Sequence, residues 1–243
     1  MDALRGRALS VCVAILLVGV VAALLLVSPA LGGSTDEAVA TFPAAGTLTV
    51  SGVRVRAHPD PGARVLRLMR EFRRDYRRQE IFAVSSRVGS DGQTWYRISV
   101  PGRPNGRMGW IPAWAADLRP TIAKVLVHRR SRKIDLFWHG KRVWHAIIAV
   151  GRPGMETPLG LYYATARFVP HHDKYLTVFA VETSGYSKLT EWPGGGVFGI
   201  HGTPEPWLLG KRVSHGCIRV SARTARKLRR YVPLGTPISI TNS

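Results

Sequence analysis

Gly199-Ile200-His201-Gly202-Thr203 and Ser214-His215-Gly216-Cys217-Ile218-Arg219 are the two stretches on which the reading of this 243-residue chain turns. The first closes an apolar run, Val197 to Ile200, that reads as a strand. The second stops just before Ser221, which has the character of a helix N-cap. Beyond it Ala222, Ala225, Leu228 and Tyr231 recur on one helical face. A thiol becomes a strong nucleophile as thiolate, and a nearby imidazole can take its proton. His201 and His215 are both in reach of that role. Gly216 lets the backbone approach closely, so that amides around Cys217 can face a developing oxyanion. Arg219 puts a fixed positive charge two residues on, suited to a carboxylate. The same residues also admit a buried structural cysteine with core histidines, and composition alone does not separate the two.

Outward from these motifs the C-terminal half is strand-rich. Lys124 to Val127, Lys133 to Trp138, Arg142 to Val150 and Leu161 to Phe168 read as strands, with a hairpin at His139-Gly140-Lys141. Leu234-Gly235-Thr236 turns the chain into a last strand, Pro237 to Thr241. Tyr175, Tyr186 and Trp192 fall between strands. His171-His172-Asp173 is a polar loop rather than a metal cluster, and no metal or other cofactor is expected.

Arg119-Pro120 marks a boundary. Upstream, Thr47 to Val50, Val53 to Arg56, Gln79 to Val84, Thr94 to Val100 and Gly109 to Pro112 read as short strands, and Asn105-Gly106 is a hairpin signal. Between them Arg64 to Arg78 is long and basic. It reads as a helix that puts Val65, Leu68, Met69 and Phe72 on one face and arginines around the rest. Residues 35–46 are small and weakly polar, a linker.

The N-terminus points to a compartment. Arg5 and Arg7 precede a stretch without charge from Ala8 to Thr35, and Val11 to Val27 is apolar or Gly throughout. Residues 1–34 are therefore expected to be a signal anchor or transmembrane helix with the rest of the chain outside the cytoplasm. Cleavage after the small residues at 28–33 would instead release a secreted protein. Of the two cysteines, Cys12 lies in this run, which leaves Cys217 alone in the exported part. A lone cysteine in an oxidising compartment is a liability unless its chemistry is used. The net charge is +20. Residues 44–120 carry 14 basic and 6 acidic groups, and residues 121–243 carry 19 and 6. Both parts are basic, as a solvated surface or as an attraction to anionic polymers or lipid headgroups.

The quoted motifs carry two resemblances. Val53-Arg54-Val55-Arg56, Trp95-Tyr96-Arg97-Ile98 and Gly109-Trp110-Ile111 make residues 47–118 similar to a bacterial SH3-like domain. His201-Gly202-Thr203 through Ser214-His215-Gly216-Cys217-Ile218-Arg219 closely resembles the catalytic signature of the L,D-transpeptidase family, also called the YkuD domain. Gly151-Arg152-Pro153-Gly154, Thr157-Pro158-Leu159-Gly160 and Gly235-Thr236-Pro237-Ile238 agree with it in order and spacing, so the domain spans 121–243.

The resemblance implies a mainly β fold: a β-rich catalytic domain with one or two short helices, preceded by the small SH3-like barrel. It implies peptidoglycan stem peptides as partner, a bacterial cell-envelope location and no nucleic acid. It makes Cys217 the nucleophile and His201 the base. Gly202 becomes the carbonyl that orients the imidazole, and Gly216 and Cys217 the oxyanion amides. His215 shapes the nucleophile loop, Arg219 anchors a carboxylate, and Ser214 is a hydrogen-bonder of that loop.

Three rivals remain. A zinc hydrolase using His201, His215 and Cys217 lacks an acidic base in the motifs. A papain-like endopeptidase usually has cysteine before histidine, the reverse of the order here. A non-catalytic wall-binding protein would leave the motif without a purpose.

Overall fold

The structure is a computed structural model that describes residues 41–171, 173, 175–191 and 195–243. The anchor expected at 1–34, the start of the linker, His172 and Trp192 lie outside the described residues. Among the described residues no helix is long and apolar enough to cross a membrane.

The N-terminal part is one antiparallel sheet. Its strands are β1 (Ala44–Leu48), β2 (Gly52–Arg56), β3 (Val65–Arg70), β4 (Glu80–Val88), β5 (Thr94–Ser99), β6 (Met108–Pro112) and β7 (Ala116–Pro120). They lie in the order β3-β2-β6-β5-β4-β1-β7. Alternation buries Val53 and Val55 of β2 with Ile81, Ile98 and Ile111. β1 begins at Ala44, so the last three residues of the expected linker belong to the sheet. β7 was not anticipated. It closes the sheet by pairing with β1 along its whole length.

The basic stretch after Arg64 is a strand, not the expected helix. β3 pairs with β2, and Met69 opposite Val53 is its buried residue. Val65, Leu68 and Phe72 are exposed instead of joining Met69 on one face. Pairing to β2 satisfies backbone groups that a short, arginine-rich helix would have had to satisfy alone.

The C-terminal part contains β8 (Ala123–His128), β9 (Lys133–Trp138), β10 (Lys141–Ile147), β11 (Val150–Gly151), β12 (Gly160–Phe168), β13 (Thr177–Tyr186), β14 (Val197–Gly202), β15 (Arg212–Ser214), β16 (Ile218–Val220), α1 (Ala222–Tyr231) and β17 (Pro237–Thr241). Eight of these strands form a sheet in the order β10-β9-β8-β17-β12-β13-β14-β16, while β11 pairs with β15. The last strand is thus drawn into the sheet interior, parallel to β8 and antiparallel to β12. Ser221 caps α1 by accepting the Thr224 N–H at 3.2 Å. Ala225 and Leu228 of α1 are buried in a core with Tyr162, Phe198, Ile200 and Ile218. Thr224 is buried too, and its hydroxyl accepts from Trp144 Nε1 at 3.2 Å. The long strand read from Arg142 to Val150 is two, β10 and β11.

Among the described residues the two sheets meet at several places. Phe82 stacks on Tyr163 at 5.3 Å between centroids, and the Tyr163 hydroxyl donates to Glu80 O at 3.1 Å. Arg73 pairs with Glu182 at 2.6 Å. The β5–β6 turn reaches Tyr186 and Ser187 at the end of β13.

Candidate active site

Parallel pairing of β14 with β16 brings the two motifs together. Ile200 lies opposite Ile218, His201 opposite Arg219 and Gly202 opposite Val220. Cys217 therefore stands just before β16, beside Gly199 at the same level of β14. The Gly199 N–H is within hydrogen-bonding reach of its sulfur. Gly199 has no room for a side chain, because a Cβ there would lie 2.7 Å from Val181 O.

His201 is 5% exposed. Its Nδ1 lies 2.9 Å from Gly202 O. A carbonyl only accepts, so Nδ1 carries the proton and Nε2 presents a lone pair. Burial drives the His201 pKa down to about 4, and Arg219 adds to this. The Gly202 carbonyl and Asp173 oppose the shift without reversing it. Gly202 must lack a side chain, since a Cβ would sit 2.2 Å from Thr177 O on β13.

Cys217 is a free, half-buried thiol packed against the core. Burial pushes its pKa up, while the Gly199 N–H and the Arg219 charge pull it down. At neutral pH the resting pair is a thiol and a neutral imidazole.

The nucleophile loop is tied from within by Ser214, which is 2% exposed. Its hydroxyl donates to Cys217 O and accepts the Gly216 N–H at 3.2 Å. The Gly216 amide, expected to face an oxyanion, is therefore directed at Ser214. Gly216 has φ +123°, and a Cβ there would lie 2.5 Å from Ser187 Cβ. His215 is exposed at the tip of the loop, while Gly216 beside it is buried. Arg219 Nη1 meets Glu205 Oε2 at 2.8 Å. The cation expected to hold a substrate carboxylate thus already holds one from the protein.

The sequence reading did not single out Gly199, Ser187, Glu205 or Asp173 as functional. Gly199 opens the quoted motif and Glu205 lies just past it, but their roles depend on strand pairing. Beside this site an open groove of about 810 Å³ is lined by Arg103, Asn105, Arg129, Tyr186, Lys188 and Arg212. Among the described residues no group of three or more His, Cys, Asp or Glu side chains is arranged to hold a metal ion.

The domain built around this strand pair has known counterparts. Residues 123–240 match the model of the YkuD family, the L,D-transpeptidase catalytic domain. Over those residues the chain is similar to L,D-transpeptidase catalytic domains. It is 27% identical over 161 residues to the Bacillus licheniformis protein YkuD, provisionally named an L,D-transpeptidase, covering 63% of this chain and 91% of that one. YqjB of Bacillus subtilis, named in the same way, is 27% identical over 142 residues, covering 54% and 79%. A solved structure of the Enterococcus faecium L,D-transpeptidase matches with a TM-score of 0.39 and 18% identity, over 52% of this chain and 56% of that chain. This chain thus spans just over half of that structure.

Proposed function

We propose that the protein is a cysteine-dependent peptidoglycan L,D-transpeptidase that transfers an acyl group from a tetrapeptide stem to an amine and forms 3→3 cross-links. The observation that carries this reading is the His201 tautomer: Nδ1–H is committed to Gly202 O, and a neutral Nε2 is left as base on the strand paired with β16, which the thiol immediately precedes. In the first step Nε2 takes the Cys217 proton as the sulfur attacks the carbonyl of the third stem residue. The C–N bond to the terminal D-alanine breaks, and that amine leaves with the proton from His201. In the second step an acceptor amine gives a proton to Nε2 and attacks the thioester. The C–S bond breaks and Cys217 regains its proton. Cys217 N–H is the oxyanion donor of the loop. Arg219 anchors a stem carboxylate in competition with Glu205.

The N-terminal sheet is read as an SH3-like wall-facing domain. The N-terminal apolar segment is read as an anchor that holds both domains outside the cytoplasm. Water in place of the amine would make the same site an L,D-carboxypeptidase, and a protein amine would make it an attachment enzyme. Incubating the purified protein with tetrapeptide muropeptides and identifying products by mass spectrometry tests the reading. Tripeptide–tripeptide cross-links that vanish in Cys217→Ala are expected, together with a single covalent carbapenem adduct at Cys217. Folded protein that yields neither would overturn it.

A further inference from the structure

We propose that Arg103 and Asn105, in the β5–β6 turn of the N-terminal domain, are positioning residues for the nucleophile loop and act on it through Ser187. The inference rests on the thiol chemistry proposed above, but the contacts that carry it are separate. Asn105 takes both backbone groups of one residue: its Oδ1 accepts the Tyr186 N–H at 2.9 Å, and its Nδ2 donates to Tyr186 O at 2.8 Å. A side-chain amide here stands in for a partner strand at the end of β13.

Arg103 fastens the chain beyond Tyr186. Its Nη2 donates to Ser187 O at 2.7 Å and to Leu189 O at 3.1 Å, and its Nη1 to Gly195 O at 2.8 Å. Its guanidinium also lies 4.8 Å over the Tyr186 ring. These carbonyls belong to both limbs of the excursion that leaves β13 and returns to β14. Ser187 closes the limbs, donating from its N–H and hydroxyl to Gly196 O at 2.8 and 3.1 Å.

Ser187 is also the residue against Gly216. The space a side chain would take at Gly216 is filled by Ser187 Cβ. The nucleophile loop is thus held from inside by Ser214 and from outside by Ser187, and a different domain sets where Ser187 sits. A charge-assisted bond to three carbonyls is strong and directional, and only the planar fork of arginine reaches all three. Misplacing a reacting group by about 1 Å can cost roughly 100-fold in rate, so a grip of this kind reaches the chemistry. It gives the N-terminal domain a part in forming the site, beyond spacing it from a surface.

Hydrogen exchange of the full chain, read by mass spectrometry, tests this in Arg103→Ala, Arg103→Lys and Asn105→Ala. Arg97→Ala, on the exposed face of β5, is the control. Arg103→Ala and Asn105→Ala are expected to speed exchange roughly tenfold in peptides covering 186–191 and also 212–219. Arg103→Lys should lie between them and wild type, and Arg97→Ala should match wild type. The carbapenem acylation rate at Cys217 should fall by a similar factor. Unchanged protection of β8, β9 and α1 would show that the fold is intact. If Arg103→Ala is broadly unfolded, Arg103→Lys decides. Faster exchange at 186–191 with 212–219 unmoved would overturn the coupling, as would no change in either. A wild-type protein inert to carbapenem would refute the transpeptidase reading and leave the exchange test standing.

Discussion

Replacing Glu80 by Gln should stabilise the protein above neutral pH and do nothing in acid. Glu80 opens β4 and is 6% exposed, with its carboxylate against Gly235 of the C-terminal part. Burial raises its pKa from 4.5 to about 7. Below pH 4.5 the group is protonated in both folded and unfolded chains and costs nothing. Between 4.5 and about 7 the unfolded chain releases the proton while the folded one keeps it. Stability is therefore lost as pH rises through that window. The full loss is about 3 kcal/mol once both states are ionised. Glutamine keeps the neutral shape and cannot ionise.

His201 acts with the opposite sign. Its folded pKa is depressed from 6.5 to about 4, so its contribution is intact above 6.5 and lost as pH falls toward 4, again by about 3 kcal/mol. The two windows overlap, and the wild-type stability should be nearly flat between about pH 4.5 and 6.5. Glu80→Gln removes one arm and exposes the other as a rising slope. Urea titrations followed by tryptophan fluorescence at pH 4.5, 6 and 8 measure this. The variant should match wild type at 4.5 and exceed it by up to about 3 kcal/mol at 8, which corresponds to roughly 6–12 °C in Tm for a protein of this size. A difference between variant and wild type that is the same at every pH would refute the reasoning, and so would a variant less stable at pH 8.

Two further outcomes bear on the site. Gly216→Ala forces a side chain into φ +123° and onto Ser187, so acylation of Cys217 by a carbapenem should slow by roughly 100-fold or more. Stopped-flow traces at wild-type speed would show that this loop tolerates displacement. Because His201 is held neutral, the acid limb of kcat/KM should lie near pH 4, and Arg219→Ala should move it upward by removing a cation that disfavours the imidazolium. A limb at the ordinary imidazole value near 6.5 in wild type would contradict the burial of His201.

Much of the candidate site's arrangement lay open in the sequence because two short motifs carry it. His201, Gly202, Ser214 and Cys217 fall where their order and neighbours suggested, and the Ser221 cap and the α1 repeat were readable from local rules. What could not be read was set by pairing across long separations. β13 contains Glu182, Thr183, Ser184 and Gly185 and shifts register against both neighbours, so no alternation announced it. The segment that sequence left between strands is a central strand. The basic stretch after Arg64 went wrong for the reverse reason. Its apolar spacing fits a helix, but the neighbouring β2 offered a ladder and a place for Met69. The SH3-like resemblance rests on residues 47–118, where five short runs are visible in sequence, whereas the sheet has seven strands from Ala44 to Pro120. Arg103 and Asn105 looked like an ordinary turn, since their partners lie beyond residue 185.

The electrostatics of the strand pair decide how the proposed reaction starts. A preformed thiolate–imidazolium pair needs a cysteine pulled below and a histidine held above neutrality. Burial here drives both the other way, and Arg219 opposes it only at Cys217. At His201 the same cation reinforces burial, so it cannot favour the ion pair at both sites. The thiol must then lose its proton as it attacks, to a base that is always in its neutral form above pH of about 4. Arg219 is itself tied to Glu205 at 2.8 Å, so part of its charge is already compensated before substrate arrives. A stem carboxylate that displaced Glu205 would leave the field at Cys217 nearly unchanged, because one anion replaces another. Occupancy by a neutral ligand that moved Glu205 away would free the cation and lower the Cys217 pKa. In the proposed reaction the Arg219–Glu205 pair would in this way tie thiol reactivity to the charge of a group bound beside it.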